Sequence, residues 1–93
     1  MIRSFRDRNT RRFFEGERVA AFQGIAEQAE NRLTLLDSAE QLRDLAGLPS
    51  TRPEPLRGNR EGQYRVRINE RWRMRFRWTA EGGPSEVGIE DYD

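Results

Sequence analysis

The sequence predicts an α+β fold in which two to three N-terminal helices pack on a small antiparallel sheet, in the order β-α-α-α-β-β-β. Three observations lead there. Apolar residues follow a three-and-four rhythm between Val19 and Leu36; "YRVRI" and "WRMRFRW" alternate apolar residues with arginine at period two; and a stretch rich in Pro and Gly separates the two patterns. Ninety-three residues accommodate a single domain, spanning 1–93, with a modest core. Hydrophobic residues make up 34% and charged residues 35%, polar for a globular domain, but nine aromatics argue against disorder.

Taken in order, "MIRSF" reads as a short first strand. "NTRRFFEG" reads as a brief helix with Asn9 or Thr10 as its cap and Gly16 as its stop. The surest helix runs from Val19 to Leu36, where Phe22, Ile25, Ala26, Ala29, Leu33 and Leu36 share one face. "DSAEQLRDLAG" follows, with Ser38 and Gln41 spaced as a capping box, then Leu42 and Leu45, then a terminating Gly47, which predicts a helical hairpin. From Gly47 to Gln63, both included, there are three Pro and three Gly, a stretch too long for an ordinary connection, and it is read as an ordered loop bearing arginines. "YRVRI" and "WRMRFRW" then form a β-hairpin across "NER", and a turn at "EGGP" leads to a third antiparallel strand in "SEVGIEDY".

Alternation assigns faces. Tyr64, Val66, Ile68, Trp72, Met74, Phe76 and Trp78 point to the helices with Val87 and Ile89, which makes the two tryptophans core residues rather than stacking platforms. Arg65, Arg67, Arg73, Arg75 and Arg77 are left on the open face, with Glu90 and Tyr92 of the last strand turned the same way.

The overall charge of +1 conceals a strong asymmetry. Arg52 to Arg77 holds nine Arg against three acids, a net of +6, whereas Glu81 to Asp93 holds five acids and no base. All seventeen basic residues are Arg, whose planar fork pairs bidentately with phosphate and stacks on bases. A solvated antiparallel face normally balances its charges in cross-strand pairs, and five Arg joined by Arg57 and Arg60 from the loop exceed the local acids. Such a patch suits a nucleic acid or an acidic protein partner. The absence of His and Cys removes the commonest acid/base catalyst, the commonest metal ligand and any disulfide, and the carboxylates lack calcium-loop spacing, so neither a metal nor another cofactor is expected. No apolar run is long enough for a membrane span and no charged-then-apolar leader is visible, so no membrane partner and a cytoplasmic location are expected.

The stretch "LRGNREGQYRVRINERWRMRF" together with "DYD" resembles the HigB branch of the RelE/ParE toxin superfamily, in which a Gly-(Asp/Asn)-Arg-x-Gly loop precedes a "RxNxxWRxxF" hairpin and the pattern closes Asp-Tyr-His. "MIRSF" and "LTLLDSAEQLRDL" fit the same pattern, so the likeness spans nearly the whole sequence. The resemblance implies a RelE-like fold and a toxin of a type II toxin–antitoxin system. Its activity would be that of a ribosome-dependent endoribonuclease cleaving mRNA in the decoding site, and its inhibitor a helix-turn-helix, HigA-like antitoxin. It also implies residue roles. Arg73, in the "WR" pair, would stabilise negative charge on the phosphate as the ribose 2′-hydroxyl attacks. Arg57 would grip the RNA backbone or share in that stabilisation, Tyr92 would stack on a base or orient the sugar, and Asp91 would organise the site, both of the latter facing the hairpin's arginines. Arg60, Arg65, Arg67, Arg75 and Arg77 would extend the contact with RNA.

One residue departs from the pattern. Asp93 stands where the family has His, and with a carboxyl pKa of about 3.9 against about 6.5 for imidazole it is a weaker base at neutral pH. Asp93 would serve as a poorer base, or activity would rest mainly on Arg73 and in-line positioning on the ribosome, or the chain is a weakened relative acting through antitoxin binding and operon repression. Inhibition of DNA gyrase in the manner of ParE is a further alternative, although it has no need of an Asp-Tyr pair beside a hairpin arginine.

Overall fold

In a computed structural model the described residues are 1–47, 52–58 and 62–91. Helices cover one face of a four-stranded antiparallel sheet, as expected for a RelE-like α+β domain. The elements are α1 (Arg8–Phe14), α2 (Ala26–Ser38), β1 (Glu54–Pro55), β2 (Gln63–Arg67), β3 (Trp72–Thr79) and β4 (Gly83–Asp91), with 3₁₀ turns at Ala20–Ile25 and Leu42–Gly47. The strands lie in sequence order, β1-β2-β3-β4.

The expected first strand is reduced to a single bridge. Phe5 pairs with Val87 in parallel sense, and Arg3 and Arg6 donate their N–H groups to Pro84 and Val87 carbonyls at 2.9 and 2.8 Å. This segment closes the outer edge of β4, an edge that would otherwise offer unpaired backbone to other chains. Helix α1 is capped by Asp7 rather than Asn9 or Thr10: the Asp7 carboxylate accepts from the Thr10 N–H at 2.7 Å. Thr10 is instead wholly buried, its hydroxyl accepting from the Ile89 N–H at 3.0 Å and donating to Asp7 Oδ2 at 3.1 Å. Gly16, at φ +99°, ends the helix as expected.

The long helix expected from Val19 is divided. Its first part is a 3₁₀ turn, and regular α-helix starts at Ala26. Val19, which precedes the turn, and Phe22 and Ile25 within it are buried and spaced three apart, and in 3₁₀ geometry such residues eclipse one another. The 3₁₀ turn therefore aims all three inward, after which Ala29, Leu33 and Leu36 continue the buried stripe at helical spacing. Nor does a capping box form at Ser38. That hydroxyl donates back to Thr34 O at 2.9 Å within α2, and the Asp44 carboxylate caps the next turn by accepting from Glu40 and Gln41 N–H groups at 3.0 Å each. The turn it starts is 3₁₀, so the second arm of the expected hairpin is six residues of 3₁₀.

Part of the Pro/Gly-rich stretch falls outside the described residues. Its described centre holds a strand that periodicity did not indicate: β1 pairs Glu54 with Arg65 and Pro55 with Tyr64. Proline is tolerated there because β1 lies at the sheet's edge.

The core side follows the predicted alternation. Val66, Ile68, Met74, Phe76, Val87 and Ile89 are buried against Phe22, Leu33 and Leu36, while Tyr64, Trp72 and Trp78 pack around them half-buried. Phe13, Phe22 and Trp72 form a run of edge-to-face contacts at 5.5 and 5.8 Å that ties α1 to the sheet. One irregularity interrupts β4. Phe76 faces both Glu86 and Val87, a bulge in which Glu86 takes φ +50°. The N–H of Glu86 is received by the Ser4 hydroxyl at 2.9 Å.

Candidate active site

Cross-strand register stacks the open-face side chains in rows. One row is Arg67, Arg73 and Glu90; the next is Glu54, Arg65, Arg75 and Gly88; a third is Gln63, Arg77 and Ser85. Two successive rows thus set arginine directly opposite arginine, Arg67 against Arg73 and Arg65 against Arg75. Like charges in that position destabilise a sheet, and an anion lying across them removes the penalty.

The five arginines are held differently. Arg65 reaches Glu54 at 3.7 Å, Arg75 reaches Glu90 at 3.8 Å, and Arg77 donates to Glu86 at 2.9 Å, with the bulge at Glu86 aiming its carboxylate there. The excess foreseen from sequence is therefore smaller, since carboxylates of described residues offset at least three of the five charges. Arg65 and Arg75 are largely covered, with side chains 23% and 15% exposed. Arg67 is exposed and makes no ion pair with a described residue; its carbonyl accepts from Arg32 Nε at 3.1 Å. Arg57 is likewise exposed, near β1.

Arg73 is anchored to backbone carbonyls. Its Nη1 donates to the carbonyls of Asn69 and Trp72, the latter at 3.1 Å. The turn that supplies those carbonyls is shaped by Asn69, whose side-chain oxygen accepts the N–H groups of Arg71 and Trp72 at 2.8 and 2.7 Å, an Asx-type turn. Half-buried and braced on a rigid turn, Arg73 presents a fixed guanidinium at the end of the open face.

Asp91 meets an arginine of the hairpin, at its turn. It lies opposite Trp72, on the parity of the core side, and its Oδ2 accepts from both Nε and Nη2 of Arg71 at 2.7 Å. This arginine belongs to the turn between β2 and β3. Arg71 also lies over the Trp72 ring at 5.8 Å. Neither Arg71 nor Asn69 drew attention as a separate residue in the sequence, although an Asn between two alternating runs is a turn signal with a known mechanism. Tyr92, Asp93 and Arg60 lie outside the described residues. Among the described residues no cluster of three or more Asp or Glu is placed to hold a metal ion, and no helix is long and apolar enough to cross a membrane.

The pattern of the family described as "RelE-like toxin of type II toxin-antitoxin system HigB" matches residues 3–88. The chain belongs to the HigB-like toxin family. It is also 32% identical over 82 residues to Toxin HigB-1 of Vibrio cholerae serotype O1, a span covering 84% of each chain. The family match takes in the N-terminal segment that closes β4, both strands of the arginine-bearing hairpin and the bulge at Glu86. As a toxin of a toxin–antitoxin system, the chain has an antitoxin as counterpart.

Proposed function

We propose that this HigB-like toxin is a ribosome-dependent endoribonuclease that cleaves mRNA in the decoding site. The observation that carries the reading is the pair of arginine–arginine rows, Arg67 opposite Arg73 and Arg65 opposite Arg75, an arrangement that costs stability in the free protein and suits a phosphodiester backbone lying along the hairpin. Membership of the toxin family supports it.

In this reading the ribose 2′-oxygen attacks the adjacent phosphorus and the bond from phosphorus to the 5′-oxygen breaks, leaving a 2′,3′-cyclic phosphate and a 5′-hydroxyl. Arg73 stabilises the charge that grows on the non-bridging oxygens, and its anchorage to the carbonyls of Asn69 and Trp72 means that little reorganisation is needed as the charge develops. Tyr92 stacks on a base or orients the sugar. Asp93 accepts the 2′-proton, a weaker base in the position of the family's His. The proton taken up by the leaving 5′-oxygen comes from solvent, since a carboxyl group near its usual pKa of about 3.9 is rarely protonated at neutral pH. Binding on the ribosome supplies in-line alignment, which is worth about 7 kcal/mol or more in well-oriented cases. Arg57, Arg60, Arg65, Arg67, Arg75 and Arg77 hold the strand, and a HigA-like antitoxin blocks the toxin.

Primer extension on translated messenger after induction tests the proposal. Wild type should give discrete cleavage products, Arg73→Ala should abolish them, and Asp93→His should raise their yield. Cleavage by Arg73→Ala at the wild-type level would move the site elsewhere, and silence of the wild type beside an active Asp93→His would leave the chain as a weakened toxin acting through its antitoxin.

A further inference from the structure

The open-face row that contains Arg65 and Arg75 ends, on β4, at Gly88. A glycine between Val87 and Ile89 leaves a gap in that row, and the space is taken from outside the sheet. A Cβ at Gly88 would sit 3.0 Å from Arg6 Cδ, 3.2 Å from Arg6 Cβ and 3.1 Å from Asp7 Oδ2. Because Gly88 is directly opposite Arg75, that Cβ would point to the open face. The stem of Arg6 therefore lies over Gly88 on the open face, the face that also carries Arg65 and Arg75.

Arg6 is held from both sides. Its N–H donates to Val87 O at 2.8 Å, the preceding Phe5 bridges Val87, and the following Asp7 caps α1. Its side chain is exposed and makes no ion pair with a described residue. Arg65 and Arg75, by contrast, each have a carboxylate within 4 Å.

We propose that Arg6 is a further phosphate-binding residue, one that extends the RNA track from the hairpin across β4 to the outer side of the sheet. The inference rests on the RNA-cleaving reading above. Two strand spacings of about 4.8 Å separate the Arg75 backbone from that of Arg6, so Arg6 would meet a different phosphate from the one bound at Arg73. The absence of a side chain at position 88 is what admits it, and Gly88→Ala should displace it without touching any arginine.

The test is binding of the full chain to ribosomes programmed with messenger whose decoding-site codon is 2′-O-methylated to prevent cleavage, measured by co-sedimentation between about 50 and 200 mM salt. Arg6→Gln should weaken binding several-fold at the lower salt and reduce the log–log salt slope by about 0.7 to 0.9, the loss of one phosphate contact. Arg6→Lys should recover most of the slope, Gly88→Ala should shift it in the same direction as Arg6→Gln, and Arg18→Gln, an exposed arginine just ahead of the 3₁₀ turn at Ala20–Ile25, should match wild type. If Gly88→Ala fails to fold, as thermal melting would show, the two Arg6 variants carry the comparison. Wild-type slope in Arg6→Gln beside a reduced slope in Arg67→Gln overturns the role of Arg6 and leaves the RNA reading standing. A wild type with no salt-dependent binding removes both. Unchanged ribosome binding with weakened capture by the purified antitoxin also overturns the proposal, assigning Arg6 to an acidic protein surface.

Discussion

Replacing Thr10 by Val removes a hydroxyl at nearly constant shape from a position with no solvent exposure. Two hydrogen bonds depend on that oxygen, the one accepted from Ile89 N–H at 3.0 Å and the one given to Asp7 Oδ2 at 3.1 Å. The second loss is mild, because Asp7 lies at the exposed start of α1 and water can replace the hydroxyl, while the Thr10 N–H still reaches Oδ1 at 2.7 Å. The first is not, because the Ile89 amide lies in the buried part of β4 with no water to take over, and an unsatisfied buried donor costs about 1–3 kcal/mol. A net loss of about 2 kcal/mol is expected, a large share of the roughly 5–15 kcal/mol typical of a domain. In urea the midpoint should fall with the m-value unchanged, and the melting temperature should drop by roughly 8–16 °C, at about 4–8 °C per kcal/mol for a chain of this size. Thr10→Ser, which keeps the hydroxyl and loses one methyl, should cost only about 1 kcal/mol. Hydrogen exchange at Ile89 should accelerate in the Val variant and stay protected in the Ser variant. The reasoning fails if Val is tolerated within about 0.5 kcal/mol, or if Ser proves more damaging than Val.

Phe76, with no exposed surface at the centre of β3, should not survive truncation: Phe76→Ala is expected to cost about 3–5 kcal/mol and to yield mostly unfolded protein by near-UV circular dichroism. Gly16→Ala forces a Cβ into a conformation at φ +99° and should destabilise by about 1 kcal/mol in chemical denaturation, with no effect on cleavage relative to folded protein. Glu90→Gln removes the carboxylate beside Arg75 and should strengthen binding to programmed ribosomes while leaving the salt slope steep; weaker binding would contradict the electrostatic account of the open face. The Arg71–Asp91 pair is two-thirds exposed on the arginine side, so a double-mutant cycle to alanine should give a stability coupling no greater than about 1 kcal/mol. A coupling well above that would mean that the pair is shielded from water in solution.

Much of the sheet was legible from sequence because period-two alternation is a local property. Val66 with Met74 and Arg65 with Arg75 fall opposite each other, as a three-residue turn between two alternating runs would place them. The helical region was less legible because the same apolar residues satisfy two geometries. Phe22 and Ile25 fit an α-helical face and also, with Val19, a strict spacing of three, and packing selected the latter. The caps of α1 and of the Leu42–Gly47 turn were not legible for a related reason: Asp7 and Asp44 are as eligible as Thr10 and Ser38, and Thr10 and Ser38 are engaged elsewhere, with Ile89 N–H and Thr34 O. In the site, Arg73 and the open-face arginines were visible from alternation and family pattern, but their differing attachments were not. Gly88 carried a readable signal, since an isolated glycine in a strand marks close approach of another group, yet nothing in the sequence named Arg6 as that group.

The sequence by itself determined which residues alternate, which arginines share a surface and which family the pattern resembles, because these depend on spacing along one chain and on the composition of short motifs. Only the tertiary structure decided that Ser4, Arg6 and Thr10 serve the outer edge of β4, that the bulge at Glu86 turns its carboxylate to Arg77, and that Asp91 meets Arg71 across the sheet. Each of these joins residues 9 to 82 positions apart. Contacts of that kind form where a buried donor, an unpaired strand edge or an uncompensated charge must find a partner, and which group is nearest is settled by the packing of the whole core.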